Sequence, residues 1–345
     1  MMRITWPLSG TLLMQTVSSI IFMAIPVLSP EIANDIGFVP SRIGIYSALV
    51  FAGAMPISLV IGGLIGKLGP LRVMQVGLLV MAVGVAGPLS GTFSGLLFSA
   101  LIVGVGYGPN TPAASHLPVR YSREEERPLV FSIKQSGAPL GGFIAGFLLP
   151  WIVLHFGWDS AIYTVIAIGF VTAIVLQPLR QSGDNDRNNK LRLSFGASLM
   201  QLRTVASSSR MRWLAVVSFV YAGVQMCIFS FPVTYLVYKI GYSLVEAGIV
   251  FSTMQFAGFL ARIFWGWIAD RYLPARLVLA AIGLLASFSV VILALVSPQW
   301  PFFAIICICV FIGATISGWN GVFLAEIARV APEGQVSTAT GAIIF

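Results

Sequence analysis

The sequence predicts an all-α polytopic membrane protein built from two parallel six-helix repeats, the second of them incomplete. Three observations lead there. Charged residues make up 9% of the 345-residue chain and hydrophobic residues 57%, against about 25% charged in soluble domains. The apolar residues gather into runs of bilayer length. The chain also matches itself at a constant offset. This composition excludes a soluble enzyme, a disordered chain and a nucleic-acid-binding module, even with a net charge of +8.

About 20 apolar residues cross a bilayer core. The first such run is 8–28, too long for the apolar part of a signal peptide and followed by no cleavage site. The others are 43–65, 72–90, 93–115, 128–154, 159–178, 213–237, 245–268, 275–296 and 301–325, and an eleventh starts near Gln335. Turn-forming residues divide them: Pro40-Ser41, Gly69-Pro70, Ser90-Gly91, Pro274, Ser297-Pro298 and Pro332-Glu333-Gly334. One connection is long and polar, centred on 183–190. The expected organisation is an N-terminal six-helix bundle at 1–178, a linker at 179–212 and a C-terminal bundle at 213–345.

Sixteen of the 20 Lys and Arg fall in loops on one side, and only Arg42 and Lys239 on the other. The positive-inside rule then places the N-terminus and the linker in the cytoplasm. It also accounts for the basic charge without nucleic acid. The setting expected is a cell inner (plasma) membrane, with a lipid bilayer around a monomer.

At an offset of 204 residues, Ile36-Gly37 meets Ile240-Gly241, Gly44 meets Gly248 and Gly62 meets Gly266. Lys67 meets Arg271, Pro70 meets Pro274, Arg72 meets Arg276, Pro128 meets Pro332 and Gly137-Ala138 meets Gly341-Ala342. Chance apolar similarity would not hold Gly, Pro and basic residues in register. Six spans separate the copies, so both enter from the same side as parallel repeats. Phe345 falls opposite Gly141, inside the eleventh span, so the sequence reads as a C-terminally truncated twelve-helix chain.

The basic end of the eighth span reads Gly266-Trp267-Ile268-Ala269-Asp270-Arg271, then Pro274 and Arg276. This resembles the cytoplasmic loop signature of the major facilitator superfamily. The first copy, with Gly62, Lys67, Gly69 and Arg72, resembles its degenerate form, with Gly66 where the family has Asp. Glycines there let neighbouring helices approach, and a carboxylate can pair with basic loop groups as a conformational latch. Without one, the first latch lacks its acid. The fourth span carries Gly104-Val105-Gly106-Tyr107-Gly108, with Ala100 where the family usually has a basic residue. The fifth carries Gly137, Pro139, Gly141, Gly142 and Gly146, a small-residue face for close packing that resembles part of the family's antiporter signature. The resemblance covers essentially the whole chain. It implies two six-helix bundles rocking around a central solute site.

A charge at membrane depth is a functional candidate by default. Lys134 lies about six residues into the fifth span, roughly 9 Å at 1.5 Å per residue. It can snorkel back to the interface, pack at an inner gate, or serve the solute. Arg262 lies in the eighth span opposite Ser58 of the first copy. It cannot shed its charge, so it needs an anion, carbonyls or water; a substrate or gate role competes with pairing to helix ends or to the absent segment. All twelve acids sit in loops or near span ends. Two buried cations without a buried anion point to an anionic solute. Polar candidates for the pathway are Gln15, Ser19, Tyr107, Asn110, Thr111, Gln135, Tyr221, Gln225, Gln255, Trp319 and Asn320; each competes with a plain interhelical hydrogen bond.

Cys227, Cys307 and Cys309 read as small apolar residues, and His116 and His155 stand far apart at span ends. Neither metal nor cofactor is expected, and no phosphate-binding loop is present for ATP. The expectation is transmembrane transport of a small anionic solute by alternating access, with no enzyme activity. Efflux of hydrophobic drug-like compounds by antiport, or a non-transporting remnant or receptor, are the competing readings.

Overall fold

In lipid, backbone groups must satisfy one another, so each apolar run becomes a helix. The structure, a computed structural model, describes residues 2–121, 130, 133–185, 187 and 208–330. The eleventh span, most of the linker, the start of the fifth span, and Pro128, Pro332 and Gly341-Ala342 of the repeat fall outside these residues. The long helices are α1 (Met2–Ile36), α2 (Ile43–Leu68), α3 (Pro70–Gly84), α4 (Phe93–Tyr107), α5 (Asn110–Tyr121) and α6 (Gly137–Val175). They continue with α7 (Ser209–Ser230), α8 (Leu244–Arg271), α9 (Ala275–Leu295), α10 (Phe302–Ile316) and α11 (Trp319–Val330). Among the described residues there is no strand.

Among the described residues, eight stretches are long and apolar enough to cross a membrane, nine if the bent pair Pro40–Ser58 and Ile61–Leu68 is one span. The stretch Ile133–Gly183 is 51 residues long. It breaks at Gly157, whose φ of 82° and ψ of 163° no other residue type adopts readily. That break falls between the fifth and sixth predicted spans, so the stretch makes two crossings. The fourth predicted span, 93–115, is not one helix: α4 stops at Tyr107 and α5 begins at Asn110. Pro109, which has no N–H to donate, stands at the junction. The tenth, 301–325, likewise divides at Ser317-Gly318 into α10 and α11.

Helix α1 is the axis of the molecule. Every residue from 14 to 30 is buried, so the helix is enclosed by others on all sides. Pro30 leaves the Pro26 carbonyl without its backbone donor, and the Ser29 hydroxyl donates to that oxygen at 2.9 Å. Around α1, helices meet through glycine. Gly104 of α4 lies on the Val50 carbonyl of α2, and Gly106 and Gly77 each lie on the other's carbonyl, joining α4 to α3. In the second half, Gly313 of α10 lies on the Met254 carbonyl of α8. Val50 and Met254 are equivalent at the 204-residue offset. Gly37 and Gly241, another equivalent pair, both turn through positive φ, at 79° and 87°. The repeat therefore extends from residue type to backbone geometry.

One expectation is corrected. Gly62 and Gly266 do not serve close helix packing among the described residues: a Cβ at either would meet nothing within 4 Å. At these two positions no described helix presses on α2 or α8, whereas Gly53 of α2 lies on the Leu101 carbonyl and Gly248 of α8 on the Gly146 carbonyl.

At the end away from the basic loops, the two halves are joined by hydroxyls. Ser29 and Thr234 stand 2.7 Å apart, and Ser47 and Ser230 2.6 Å apart. The Tyr238 hydroxyl reaches the Pro30 carbonyl at 3.1 Å and Asn34 Oδ1 at 2.7 Å. Because Ser29 already donates to Pro26, Thr234 is the donor in their pair.

The glycine contacts make an internal comparison. Gly106→Val drives methyls into the Gly77 carbonyl and Met81, and should destabilise the protein by about 1–3 kcal/mol. Gly62→Ala enters open space and should change stability by no more than about 1 kcal/mol, with stabilisation the expected direction. Thermal unfolding of the detergent-solubilised protein compares the two.

Candidate functional site

Lys134 and Arg262 are the buried charges described within the membrane-spanning stretches. Lys134 is 0% exposed and Arg262 5%. Lys134 does not snorkel. Its Nζ donates to the Thr111 carbonyl at 3.2 Å and to the Ser115 hydroxyl at 3.0 Å, both on α5. Ser115 Oγ is free to accept because its own proton goes to Thr111 O at 2.7 Å. Arg262 Nε donates to the Ser317 carbonyl at 3.0 Å, at the break between α10 and α11. Its Nη1 donates to the Gln135 carbonyl, one residue beyond Lys134. One guanidinium thus ties α8 and the α10–α11 junction to the chain entering α6.

The two cations lie within electrostatic reach of each other, and Tyr107, stacked on Phe22 with ring centroids 5.2 Å apart, is within reach of Arg262. The ion pairs formed between described residues are Arg180–Asp184 and Arg329–Glu326, so neither buried cation has an acid partner there. Neutral carbonyls and a hydroxyl offset only part of the several kcal/mol that burying an ion costs. Among the described residues no acid offsets the positive charge of this layer.

The start of α6 brings more polar groups to this layer. Gly137 and Gly141 press on α1 at Gln15 and Ser19, while Gly142 and Gly146 press on α8 at Gln255 and Ser252. Pro139 is buried between them. Gln15 is 3% exposed and Gln255 0%, and the Oε1 atom of each has no hydrogen-bond partner. Asn110 is buried with both side-chain polar atoms unpartnered, beside Thr111, whose side chain is half-buried.

The other sequence candidates sit elsewhere. Tyr221 donates to the Leu279 carbonyl of α9 at 2.6 Å and packs on Trp319 at 5.2 Å. Both belong to a separate apolar cluster with Phe323. Asn320 donates to Gln225 Oε1 at a long 3.4 Å, linking α11 to α7. The structure brings Lys134, Gln135, Arg262, Gln15 and Gln255 together along one helix start. Among the described residues no three of His, Cys, Asp and Glu gather as a metal site.

The latch region holds a residue that sequence reasoning missed. Lys67 and Arg271 sit in the last turns of α2 and α8, and Arg72 and Arg276 in the first turns of α3 and α9; the Asp270 side chain lies outside the described part. The first copy does not go without a carboxylate. Asp184, from the linker, accepts from the backbone N–H of Leu71 at 2.8 Å and of Arg72 at 3.2 Å, and pairs with Arg180 Nε at 3.3 Å. It caps α3 from a distant part of the chain, where the macrodipole favours an anion. Burial pushes its carboxyl above the usual range, against the opposing pull of both amides and of Arg180. Gly69, at φ 90°, leaves the room: a Cβ there would collide with the Asp184 carboxylate. The only signal in the sequence is that Asp184, with Asp186, follows the sixth span, and no motif surrounds the pair.

A family model described as Major Facilitator Superfamily matches residues 10–345. A Mycobacterium tuberculosis protein described as a probable nitrate/nitrite transporter is 29% identical over 76% of this chain and 64% of its own length. A probable galactarate/D-glucarate transporter of Escherichia coli is 24% identical over 91% of this chain and 76% of its own. A 4-hydroxybenzoate transporter of Acinetobacter baylyi is 23% identical over 73% of this chain and 62% of its own. The chain thus spans under two thirds of the nitrate/nitrite and hydroxybenzoate relatives. Among solved structures, a bacterial homolog of the human lysosomal transporter Spinster, inward-facing and unoccupied, superimposes with a TM-score of 0.68 at 18% identity over 98% of this chain and 79% of its own.

Removing the Asp184 cap should cost about 1–2 kcal/mol in Asp184→Ala and clearly less in Asp184→Asn, since Asn is also a good capping residue. Thermal unfolding of the two variants side by side checks the order.

Proposed function

Since the chain belongs to the Major Facilitator Superfamily, we propose that it carries a small anion across the membrane by alternating access. The observation that carries this reading is the pair of buried cations, Lys134 and Arg262, whose partners among the described residues are all neutral. Such a layer lowers the desolvation cost of an entering anion and repels a cation. The named solutes of the relatives, nitrate and nitrite, galactarate and D-glucarate, and 4-hydroxybenzoate, are anions at neutral pH and agree with that charge.

The working parts follow from the packing. The bundles 1–178 and 213–345 move against each other, with 179–212 as the cytoplasmic linker and the N-terminus on the same side. The glycine strip from Gly137 to Gly146 is the bearing between them. The seal formed by Ser29–Thr234, Ser47–Ser230 and Tyr238 is the outer gate, shut in this conformation. Gly62, Lys67 and Arg72, with Gly266, Asp270, Arg271 and Arg276, are the inner latch regions. Gln225, Asn320 and Tyr221 support the second bundle from its own core. A single chain holds the path, so the unit is a monomer.

Two experiments test this. In proteoliposomes, Lys134→Met and Arg262→Met should each reduce anion flux by about 30-fold or more, the scale for truncating one partner of a buried charge contact, while the unfolding temperature of each variant stays within a few degrees of wild type. Undiminished anion flux, or uptake of organic cations in its place, would sink the reading. Separately, a reporter that fluoresces only in the cytoplasm should be bright when fused to the N-terminus or within 179–212 and dark when fused near Arg42 or Lys239.

A further inference from the structure

We propose that the ligand is a hydroxylated organic acid, its acid group at Lys134 and Arg262 and its hydroxyls on the free amide oxygens of Gln15 and Gln255. This rests on the anion reading above and narrows it: an inorganic oxyanion is not the fitted solute.

The amide oxygens carry the argument. Gln255 is fully buried. Its Nε2 faces the Met23 sulfur at 3.2 Å. Sulfur is a weak acceptor and donates nothing, so the reversed amide would set two acceptors against each other. The oxygen is thereby aimed away from Met23, and it has no partner. Gln15 presents a second buried oxygen with none. A buried acceptor left unpaired is costly and rare, and two flanking the same helix start call for donors from a ligand.

The spacing sets the ligand's length. Gln255 and Arg262 are seven residues apart, two turns, and so lie on the same face of α8. Their separation along the axis is about 10 Å at 1.5 Å per residue. On the facing helix, Lys134 precedes Gly137, beneath Gln15, by three residues and Gly142, beneath Gln255, by eight. The cations, with Gln15 close to them, thus occupy one end of a strip and the bare oxygen of Gln255 the other. Nitrate or phosphate satisfies only the first end. An acid with a chain of several carbons bearing hydroxyls satisfies both, its carboxylate replacing the Gln135 carbonyl as partner of Arg262.

The test is a matched pair of six-carbon dicarboxylates, D-glucarate with four hydroxyls and adipate with none, and nitrate beside them. Binding to the purified wild-type protein is read by calorimetry. Glucarate should bind at least about tenfold more tightly than adipate, because a site built for hydroxyls rejects the analogue that lacks them. Nitrate should be weaker than glucarate. In Gln255→Leu, glucarate should weaken about tenfold with adipate unchanged, bringing the ratio toward one. Equal wild-type affinities for the two acids, nitrate as the tightest ligand, or a ratio unchanged by Gln255→Leu would overturn the inference and leave the anion reading standing. If none of the three anions binds wild type, the anion reading itself falls, and this inference with it. The wild-type comparison decides the matter even where the variant does not fold.

Discussion

The close approach of α6 to two helices at once is the constraint from which the rest follows. Gly137 and Gly141 admit α1 on one side, and Gly142 and Gly146 admit α8 on the other. In lipid the hydrophobic effect does not press helices together, so backbones must come near enough for dispersion and hydrogen bonds to act. A side chain at any of the four positions would push α1 or α8 outward. Arg262 could then no longer reach the Gln135 carbonyl from α8, and Gln15 and Gln255 would no longer flank the same turn.

That geometry explains how two cations persist where bare charge is expensive. Arg262 keeps its proton at any physiological pH, so its surroundings must adapt to it. They do so with main-chain oxygens at Ser317 and Gln135, both at interruptions of helix, where carbonyls are released from internal bonding. Lys134 also uses a main-chain oxygen, that of Thr111 in the first turn of α5, together with the Ser115 hydroxyl. For Arg262 the helix breaks and the charge belong together: the α10–α11 junction and the start of α6 each provide an oxygen that it requires. Such oxygens are weaker partners than a carboxylate and can be exchanged for one.

Much of this was legible in the sequence, and the gaps have physical causes. The described spans, the glycines aligned by the repeat and the two deep cations follow from hydropathy and register, which are local or periodic signals. The division of the fourth span at Pro109 was visible as a residue but not as an event, because proline within a membrane helix bends as often as it breaks. The partners of Lys134 and Arg262 could not be read, since a backbone carbonyl is the same at every position. Asp184 was missed for a related reason. Its bonds run to the amides of Leu71 and Arg72, more than a hundred residues away, and amides have no sequence signature either. The absence of Asp at Gly66 was read correctly as a residue, but the carboxylate it implied was missing arrives from the linker instead. The openness around Gly62 and Gly266 shows the converse: a glycine aligned by the repeat need not be in contact.

The hydroxyl seal at the end away from the basic loops has a consequence for energy supply. Ser29, Thr234, Ser47, Ser230, Tyr238 and Asn34 are all neutral, so a membrane voltage exerts no direct force on the bonds they make. The charge that voltage can pull on lies a layer deeper, at Lys134 and Arg262, where moving one elementary charge through the full potential is worth about 2.3 kcal/mol per 100 mV. On the anion reading proposed above, a resting potential that is negative inside biases the empty protein differently from one in which a bound anion offsets Lys134 and Arg262.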